Sequence, residues 1–198
     1  MEIVVYPDPV LRKQCRALTE EEIKTGVIDG KPIKELVAEM TRLMREAPGH
    51  GVGLAAPQIG IPIRLFIVDI ALSSPNAIPL VFINPEISDP HGEEEQVEGC
   101  LSLPGVHLKV KRAQTVKVKA RNIEGIEFDF EAKGGMARCV QHENDHCFGT
   151  MIIQKASLIA NIPVRRALQK LEDSWARRQA RLAKKKTDAT INIENSKH

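Results

Sequence analysis

The stretch QHENDH at residues 141–146 decides how this sequence is interpreted, and it lies in a segment, residues 136–147, whose pattern predicts a helix. Residues four apart on a helix share one face, so His142 and His146 can reach the same cation. Glu143 lies beside the first histidine, where it can take a proton from a metal-held water without itself binding the metal. The alternative is a polar helix face with two surface histidines. The spacing favours the metal site.

The third ligand determines which class of metal site this is, since a catalytic site usually has three protein ligands and one open position. The metzincin pattern would place a histidine where Ile152 stands, although Gly149 falls where its glycine should be. A thermolysin-like site would need a glutamate on a later helix. The nearest candidate, Glu172, lies in a Lys/Arg-rich amphipathic stretch where a surface ion pair is the expected role. The metzincin class is therefore excluded and the thermolysin class disfavoured.

The four cysteines supply the other candidates for the third ligand. Cys147 directly follows the second histidine and so points away around the helix, and Cys15 lies in an N-terminal segment without other ligand types. Cys139 lies on the motif face one turn earlier, where a small packing residue is expected. Cys100 lies in a glycine-flanked turn where backbone can approach a ligand closely. The residues alone favour Cys100 and leave the alternatives open.

Composition predicts one globular domain with a basic extension. The chain has 198 residues, of which 42% are hydrophobic and 27% charged, which is enough for a real core. No apolar run approaches the roughly 20 residues of a membrane helix, and no signal-peptide pattern is present, so we expect a cytoplasmic protein with reduced cysteines. We expect a catalytic domain at 1–164, a basic helix at 165–186 and a disordered tail at 187–198.

The order of predicted elements favours an α+β fold. The patterns predict a helix at 32–46, buried strands at 63–70 and 80–83, and a half-exposed strand at 115–120. Residues 48–60 are predicted to form a loop. Asn84-Pro85 is expected to end the second strand, and a last helix is predicted from near Pro163 to about Ala183.

Three segments in this order resemble the peptide deformylases: GVGLAAPQ at 51–58, EGCLS at 98–102 and QHENDH at 141–146. The resemblance covers residues 3–175. It implies an α+β fold in which antiparallel strands pack around a central metal-binding HExxH helix, with an N-terminal helix and a C-terminal basic helix. It also implies hydrolysis of the formyl group from the N-formylmethionine of new polypeptides, with release of formate.

The resemblance assigns a role to each matching residue. The metal would be bound by Cys100, His142 and His146. Glu143 would be the acid/base, while the Gln58 amide and the Leu101 backbone N–H would stabilise the oxyanion. Losing one such donor typically costs about 10²–10³ in rate. The implied cofactor is one divalent metal ion, with Fe²⁺ expected and Zn²⁺, Ni²⁺ or Co²⁺ as alternatives.

Substrate contacts are also implied. Backbone at Val52 and Gly53 would pair with an extended peptide, and Cys139 is expected beside them. Gly135 replaces a larger residue of the family, which would widen the methionine pocket. Glu98 is a candidate acceptor for the outer N–H of a ligating histidine.

The expected partners are N-formylmethionyl peptides and, through the basic C-terminal helix, the ribosome, with no membrane and no DNA. A metallopeptidase or an inactive ribosome-binding relative are the competing interpretations. The missing third ligand counts against the first, and the intact motif residues count against the second. Asp145 and Arg112 are a candidate ion pair supporting the motif helix.

Overall fold

The computed structural model describes residues 1–69 and 79–195, with side chains up to residue 185. Its helices and strands follow in chain order: α1 (Glu20–Thr25), β1 (Val27–Ile28), β2 (Lys31–Pro32), α2 (Ile33–Glu46), β3 (Gly53–Ala55), β4 (Leu65–Val68), β5 (Leu80–His91), β6 (Glu94–Gly99), β7 (His107–Arg112), β8 (Thr115–Arg121), β9 (Glu127–Lys133), α3 (Gly134–Cys147), α4 (Ile152–Lys155) and α5 (Arg165–Asn195). The expected α+β class with antiparallel sheets is confirmed.

Five strands form the main antiparallel sheet, in the order β3-β4-β5-β8-β9, and β6 pairs with β7 in a separate two-stranded sheet. Successive side chains of a strand point to opposite faces, so β4 is buried on both sides. Leu65 and Ile67 pack with α2, while Phe66 and Val68 pack with α3. The main sheet therefore lies between these two helices.

Helix α2 covers its face of the sheet with an apolar stripe made of Ile33, Leu36, Val37, Met40 and Met44. This spacing of three and four residues is the one that places side chains on one side of a helix. Helix α3 covers the other face through Ala137, Val140 and Cys147. The remaining positions of α3 can therefore carry polar side chains.

The expectation that Asn84-Pro85 ends a strand is wrong. Strand β5 continues to His91, with a register shift between Ile83 and Glu86 against β8. Asn84 adopts a positive φ of 49°, and its side-chain amide bonds both backbone groups of Leu18. The proline is accommodated because a β-bulge interrupts the ladder where its missing N–H would be needed.

Two other boundaries differ from the expectations. The segment 48–60, predicted as a loop, contains β3 and a 3₁₀ turn at Ala56–Ile59. Strand β4 is shorter than the predicted 63–70, of which residue 70 lies outside the described residues. Local pattern does not identify a strand as short as β3, because its length is set by pairing with β4.

Helix α5 is joined to the body through its first turns. Ala167, Leu168 and Leu171 pack on the apolar cluster that includes Tyr6, and the Tyr6 hydroxyl donates to Glu172 Oε1 at 2.7 Å. From residue 176 to residue 185 every side chain is exposed. The helix continues to Asn195, beyond the predicted end at 186, so the disordered tail expected at 187–198 is helical up to that residue, and 196–198 lie outside the described residues.

None of the helices in the described ranges combines the length and the apolar character needed to cross a membrane. Helix α5 is long enough, but it is dominated by charged residues.

Candidate metal centre

Three potential metal ligands meet at one point. Cys100 lies in the turn that follows β6, while His142 and His146 lie one turn apart on α3. Their ligand atoms are all within 4.8 Å of one another, and Cys100 Sγ is 3.3 Å from His146 Nε2. Among the residues that the structure describes, this is the one such group of three.

The chemistry of these side chains fits a divalent cation. One thiolate and two imidazoles form a donor set suited to Zn²⁺ or Fe²⁺. Burial lowers the pKa of His146 well below its ordinary value, so the ring is neutral, which is the form that binds a metal. Among the described residues, the buried Glu143 Oε2 beside this cluster has no hydrogen-bond partner. Unpaired buried polar atoms beside a ligand cluster are typical of a site that holds a further group.

Glu143 is a buried carboxyl at the floor of the cleft. Burial raises its pKa to about 7, although the neighbouring His142 and Arg112 act in the opposite direction. A carboxyl that titrates near neutral pH can both take up and release a proton under physiological conditions. Its side chain lies against Gly53, where an added Cβ would come within 2.5 Å of Glu143 Oε1. A glycine at this position therefore gives Glu143 its space.

Glu98 accepts hydrogen bonds on both carboxylate oxygens. Oε1 accepts from Arg112 Nε at 2.6 Å and from Arg138 Nη1 at 2.6 Å. Oε2 accepts from Arg112 Nη2 at 2.9 Å and lies 2.9 Å from His142 Nδ1. Burial alone would raise the pKa of Glu98, but His142 and Arg112 hold it at about 2. Burial alone would lower the pKa of His142, but its contacts with Cys100 and Glu98 raise it well above the ordinary value. The ionised carboxylate holds a proton on Nδ1, and a metal bound at Nε2 would replace the second ring proton.

The two contacts that the sequence predicts around the candidate ligands are therefore present. Glu98 meets His142, and Arg112 Nη1 donates to Asp145 Oδ2 at 2.8 Å. Arg112 of β7 is itself buried; it pairs with Glu98 within the β6–β7 sheet and links that sheet to α3 through Asp145.

Gln58 is buried, and its amide orientation is fixed by the backbone. Its Oε1 accepts from the Ala55 N–H at 2.9 Å, so Nε2 faces Ser102 Oγ at 3.2 Å and Cys100 Sγ at 3.5 Å. The Leu101 N–H, which follows Cys100 in the same turn, has no hydrogen-bond acceptor among the described residues. Two N–H donor groups are thus held beside the ligand cluster.

A cavity of about 1060 Å³ opens over the cluster, and Glu143 and His142 line it. Val52 and Gly53 line one side, and Val97 and Gly99 line the other. Both Val52 and Val97 are exposed. Strand β3 is at the edge of its sheet and β6 belongs to a pair, so each has one free edge.

Cys139 lies where α3 packs against β3. Its thiol donates to the Val52 carbonyl at 3.7 Å, and the residue is buried while still lining the cavity. Burial raises its pKa well above the ordinary value, so the thiol stays protonated. The expected packing role of Cys139 is therefore present, and its contact with substrate stays a prediction.

The sequence interpretation assigned no role to two residues that contact Gln58 and Glu98 beside the ligand cluster. Ser102 is fully buried and accepts from Gln58 Nε2. Arg138 reaches Glu98 from one turn before His142 on α3. The helical spacing of Arg138 and His142 was a usable signal, but its meaning depends on a carboxylate that comes from another sheet.

Comparison with known proteins identifies the family. A family model described as polypeptide deformylase matches residues 1–161. Peptide deformylase 1 of Clostridium perfringens is 45% identical over 146 residues, which are 74% of this chain and 90% of that protein. A crystal structure of Arabidopsis thaliana peptide deformylase 1B with an inhibitor is 32% identical, with a TM-score of 0.78 over 91% of this chain and 94% of that one.

A second solved structure, a peptide deformylase from Legionella pneumophila, is 37% identical, with a TM-score of 0.73 over 89% of this chain and 97% of that one. The matched family segment contains the three ligand residues together with Gln58 and Glu143. The chain therefore belongs to the polypeptide deformylase family.

Proposed function

We propose that this chain is a metal-dependent peptide deformylase, which hydrolyses the N-formyl amide of polypeptides that begin with N-formylmethionine and releases formate. The observation that carries the proposal is the meeting of Cys100, His142 and His146 beside the buried Glu143. Membership of the polypeptide deformylase family supports the same reaction.

Cys100, His142 and His146 would hold one divalent cation at the base of the cleft, on the central helix α3. Fe²⁺ is the metal we propose, with Zn²⁺, Ni²⁺ or Co²⁺ as alternatives. When bound, such a cation supplies Lewis acidity to the reacting groups. The thiolate lowers the net charge of the site relative to three neutral imidazoles, which suits these borderline metals.

Glu143 would move the proton. As a base it accepts the proton of the attacking water, and as an acid it gives that proton to the amine that leaves with the peptide. Its pKa of about 7 suits both steps, since neither protonation state is strongly preferred at neutral pH.

Gln58 Nε2 and the Leu101 N–H would donate to the formyl oxygen as it gains negative charge. Donors that are held in place before the reaction stabilise the transition state without having to reorganise. The Ala55 N–H provides that restraint for Gln58, because it occupies the amide oxygen and leaves the nitrogen facing the cluster.

The substrate would bind as an extended strand between β3 and β6. Gly53 is the first residue of β3, whose outer edge is free, and Val52 directly precedes it; backbone at these positions would pair with the peptide main chain. Cys139 and Gly135 would line the space for the first side chain, and nothing lies within 4 Å of a Cβ placed on Gly135. Recognition through the main chain suits an enzyme whose substrates differ in sequence.

The exposed part of α5 would bind ribosomal RNA near the site where new chains emerge, in the cytoplasm. Its basic side chains include Arg177, Arg178, Arg181 and Lys185, all of them exposed. Clustered cations bind phosphate with a steep dependence on salt. Ribosome pelleting with the full chain and with a chain ending at residue 172, across a salt series, tests this. Equal pelleting of both forms would contradict it.

The activity is tested by formate release from formyl-Met-Ala-Ser with anaerobically prepared enzyme loaded with Fe²⁺ or Ni²⁺. We expect release by the wild type and none by Glu143→Ala. Glu124→Ala, which changes an exposed glutamate in the turn between β8 and β9 and outside the cavity lining, is the matched control and should retain activity. Metal-loaded wild type that releases no formate would defeat the proposal, and cleavage of unformylated Met-Ala-Ser would instead indicate a peptidase.

A further inference from the structure

The candidate ligands lie on two separate parts of the fold. Cys100 follows β6 of the two-stranded sheet, whereas both histidines lie on α3, which packs against the five-stranded sheet. The separation between the thiol and the imidazoles therefore depends on how firmly the β6–β7 sheet is held against α3. Side chains that connect these two parts are candidates for controlling the metal site.

Arg138 makes the most extensive of these connections. From α3, its Nη1 donates to Glu98 Oε1 at 2.6 Å and to the Val110 carbonyl at 3.0 Å, and its Nη2 donates to the Glu94 carbonyl at 2.7 Å. The acceptors belong to both strands of the small sheet. The rigid planar fork of a guanidinium suits several acceptors at fixed positions. One side chain thus joins the helix to β6 and to β7.

Arg138 and His142 contact the same carboxylate, that of Glu98, from consecutive turns of α3. They are four residues apart and so share a helix face. Arg138 bonds Oε1 of Glu98, while His142 meets Oε2. Glu98 itself is two residues before Cys100. Two attachments one turn apart resist rotation and sliding of the helix relative to this carboxylate, whereas one attachment would act as a pivot.

We propose that Arg138 is a positioning residue that sets the separation of Cys100 from His142 and His146, and through it the affinity of the site for a divalent cation. It acts through Glu98 and the two strand carbonyls, without binding the metal. This proposal rests on the metal site described under the proposed function.

The contacts around Glu98 predict how Arg138 variants behave. In Arg138→Met, Glu98 keeps its contacts with Arg112 and His142, so the carboxylate stays paired and only the contacts that Arg138 itself makes between α3 and the small sheet are lost. In Arg138→Lys the charge is kept, but a compact ammonium cannot reproduce the fixed fork. Arg138→Met therefore removes the contacts that Arg138 makes with the small sheet, and Arg138→Lys weakens them.

The test measures Zn²⁺ and Co²⁺ dissociation constants by competition with a chromophoric chelator. We expect Arg138→Met to weaken binding by up to about 10-fold, the lower end of the effect that is typical when the direct partner of a ligating residue is lost, because Arg138 contacts that partner and not the ligand. Arg138→Lys should fall between that variant and the wild type. The control is Arg121→Met, since Arg121 of β8 also pairs with carboxylates, Glu20 of α1 and Glu127 of β9, but does not line the cavity. It should bind both metals like the wild type.

A double-variant comparison shows whether Arg138 acts through Glu98. In a Glu98→Gln background, Arg138→Met should weaken metal binding less than it does in the wild type, because the bonds to the Glu94 and Val110 carbonyls are then the main ones left to lose. An undiminished effect there, or wild-type affinity in the single variant, would overturn the proposal. If circular dichroism shows that Arg138→Met does not fold, unchanged affinity of Arg138→Lys would overturn it instead. Failure of the wild type to bind either metal would refute the metal site itself, which is a separate result.

Discussion

At the scale of single residues, Gln58 is oriented before any substrate binds. The Ala55 N–H occupies its amide oxygen, so the nitrogen faces Cys100 and Ser102. We expect Gln58→Leu to lower kcat by about 10²–10³-fold and to leave metal content unchanged, because it removes a donor but no ligand. Formate-release kinetics and metal analysis measure both quantities. Gln169→Leu, an exposed position on α5, is the control, and a metal-replete Gln58→Leu enzyme with wild-type kcat would contradict the role.

The site residues differ in how far the sequence alone could predict them. His142, Glu143 and His146 follow from helix periodicity, which is a local property. The residues alone favoured Cys100 but left alternatives open, and the resemblance was needed to decide, because packing of the β6–β7 sheet against α3 is a long-range outcome. Arg138 was not predicted at all, since its acceptors come from two strands that sequence pattern did not identify.

At the scale of elements, the contact between β3 and α3 requires a glycine. A Cβ on Gly53 would lie 2.5 Å from Glu143 Oε1 and 2.9 Å from Cys139 Sγ, so these side chains would have to move. We expect Gly53→Ala to destabilise the fold by about 1–3 kcal/mol and to reduce kcat, since Glu143 is displaced. Urea denaturation and formate release measure these effects.

Gly135→Ala is the matched control for that substitution. Gly135 lies in α3 with nothing within 4 Å of an added Cβ, so alanine should stabilise the helix by about 0.5–1 kcal/mol. If both alanine variants had the same stability, close packing at Gly53 could not be the reason for its glycine.

Docking of α5 depends partly on the hydrogen bond from Tyr6 to Glu172. We expect Tyr6→Phe to lower the free energy of unfolding by about 1 kcal/mol. Burial and the Glu172 bond raise the pKa of Tyr6, so the folded chain holds this proton more tightly than the unfolded chain does. The stabilisation is therefore complete below about pH 10 and is lost as the pH rises further.

The measurement is urea denaturation of both proteins at about pH 8 and about pH 10.5. The difference in free energy of unfolding between the wild type and Tyr6→Phe should be smaller at the higher pH. Tyr6 is the one tyrosine in the sequence, so an ultraviolet titration reports its ionisation directly. A titration at the ordinary tyrosine pKa would contradict the coupling to Glu172.

The register of β5 shows what element prediction from sequence lacks. Asn84-Pro85 is a reasonable strand end by local rules, because proline cannot donate to a ladder. The strand continues because a bulge at this point accommodates the proline. The Asn84 side-chain amide also bonds both backbone groups of Leu18, a residue distant in sequence. Helix α2, in contrast, coincides closely with the predicted 32–46, since its amphipathic pattern is contained within the helix itself.

At the scale of the whole molecule, metal binding would connect the β6–β7 sheet to α3, the helix that packs on the five-stranded sheet. A ligand that binds only the folded chain stabilises it by about 2.7 kcal/mol at a free concentration of 100 times Kd. For a chain of this size we expect Zn²⁺ at that level to raise Tm by roughly 5–10 °C, and a chelator to reverse the change. Calorimetry of the metal-free protein with and without Zn²⁺ measures it.

His146→Ala is the control for this prediction, because it removes one ligand and should abolish the rise in Tm. An equal rise in this variant would place the stabilising cation somewhere else on the molecule.

The free edge of β3 has a consequence for the timing of the reaction. The edge is three residues long and lies inside a cleft, so an extended chain terminus can reach it but the edge strand of a folded sheet cannot. A nascent protein whose first residues become a strand or helix is then a substrate only until they do so. Deformylation thus competes with substrate folding, and fast-folding N-termini should escape it more often than slow ones.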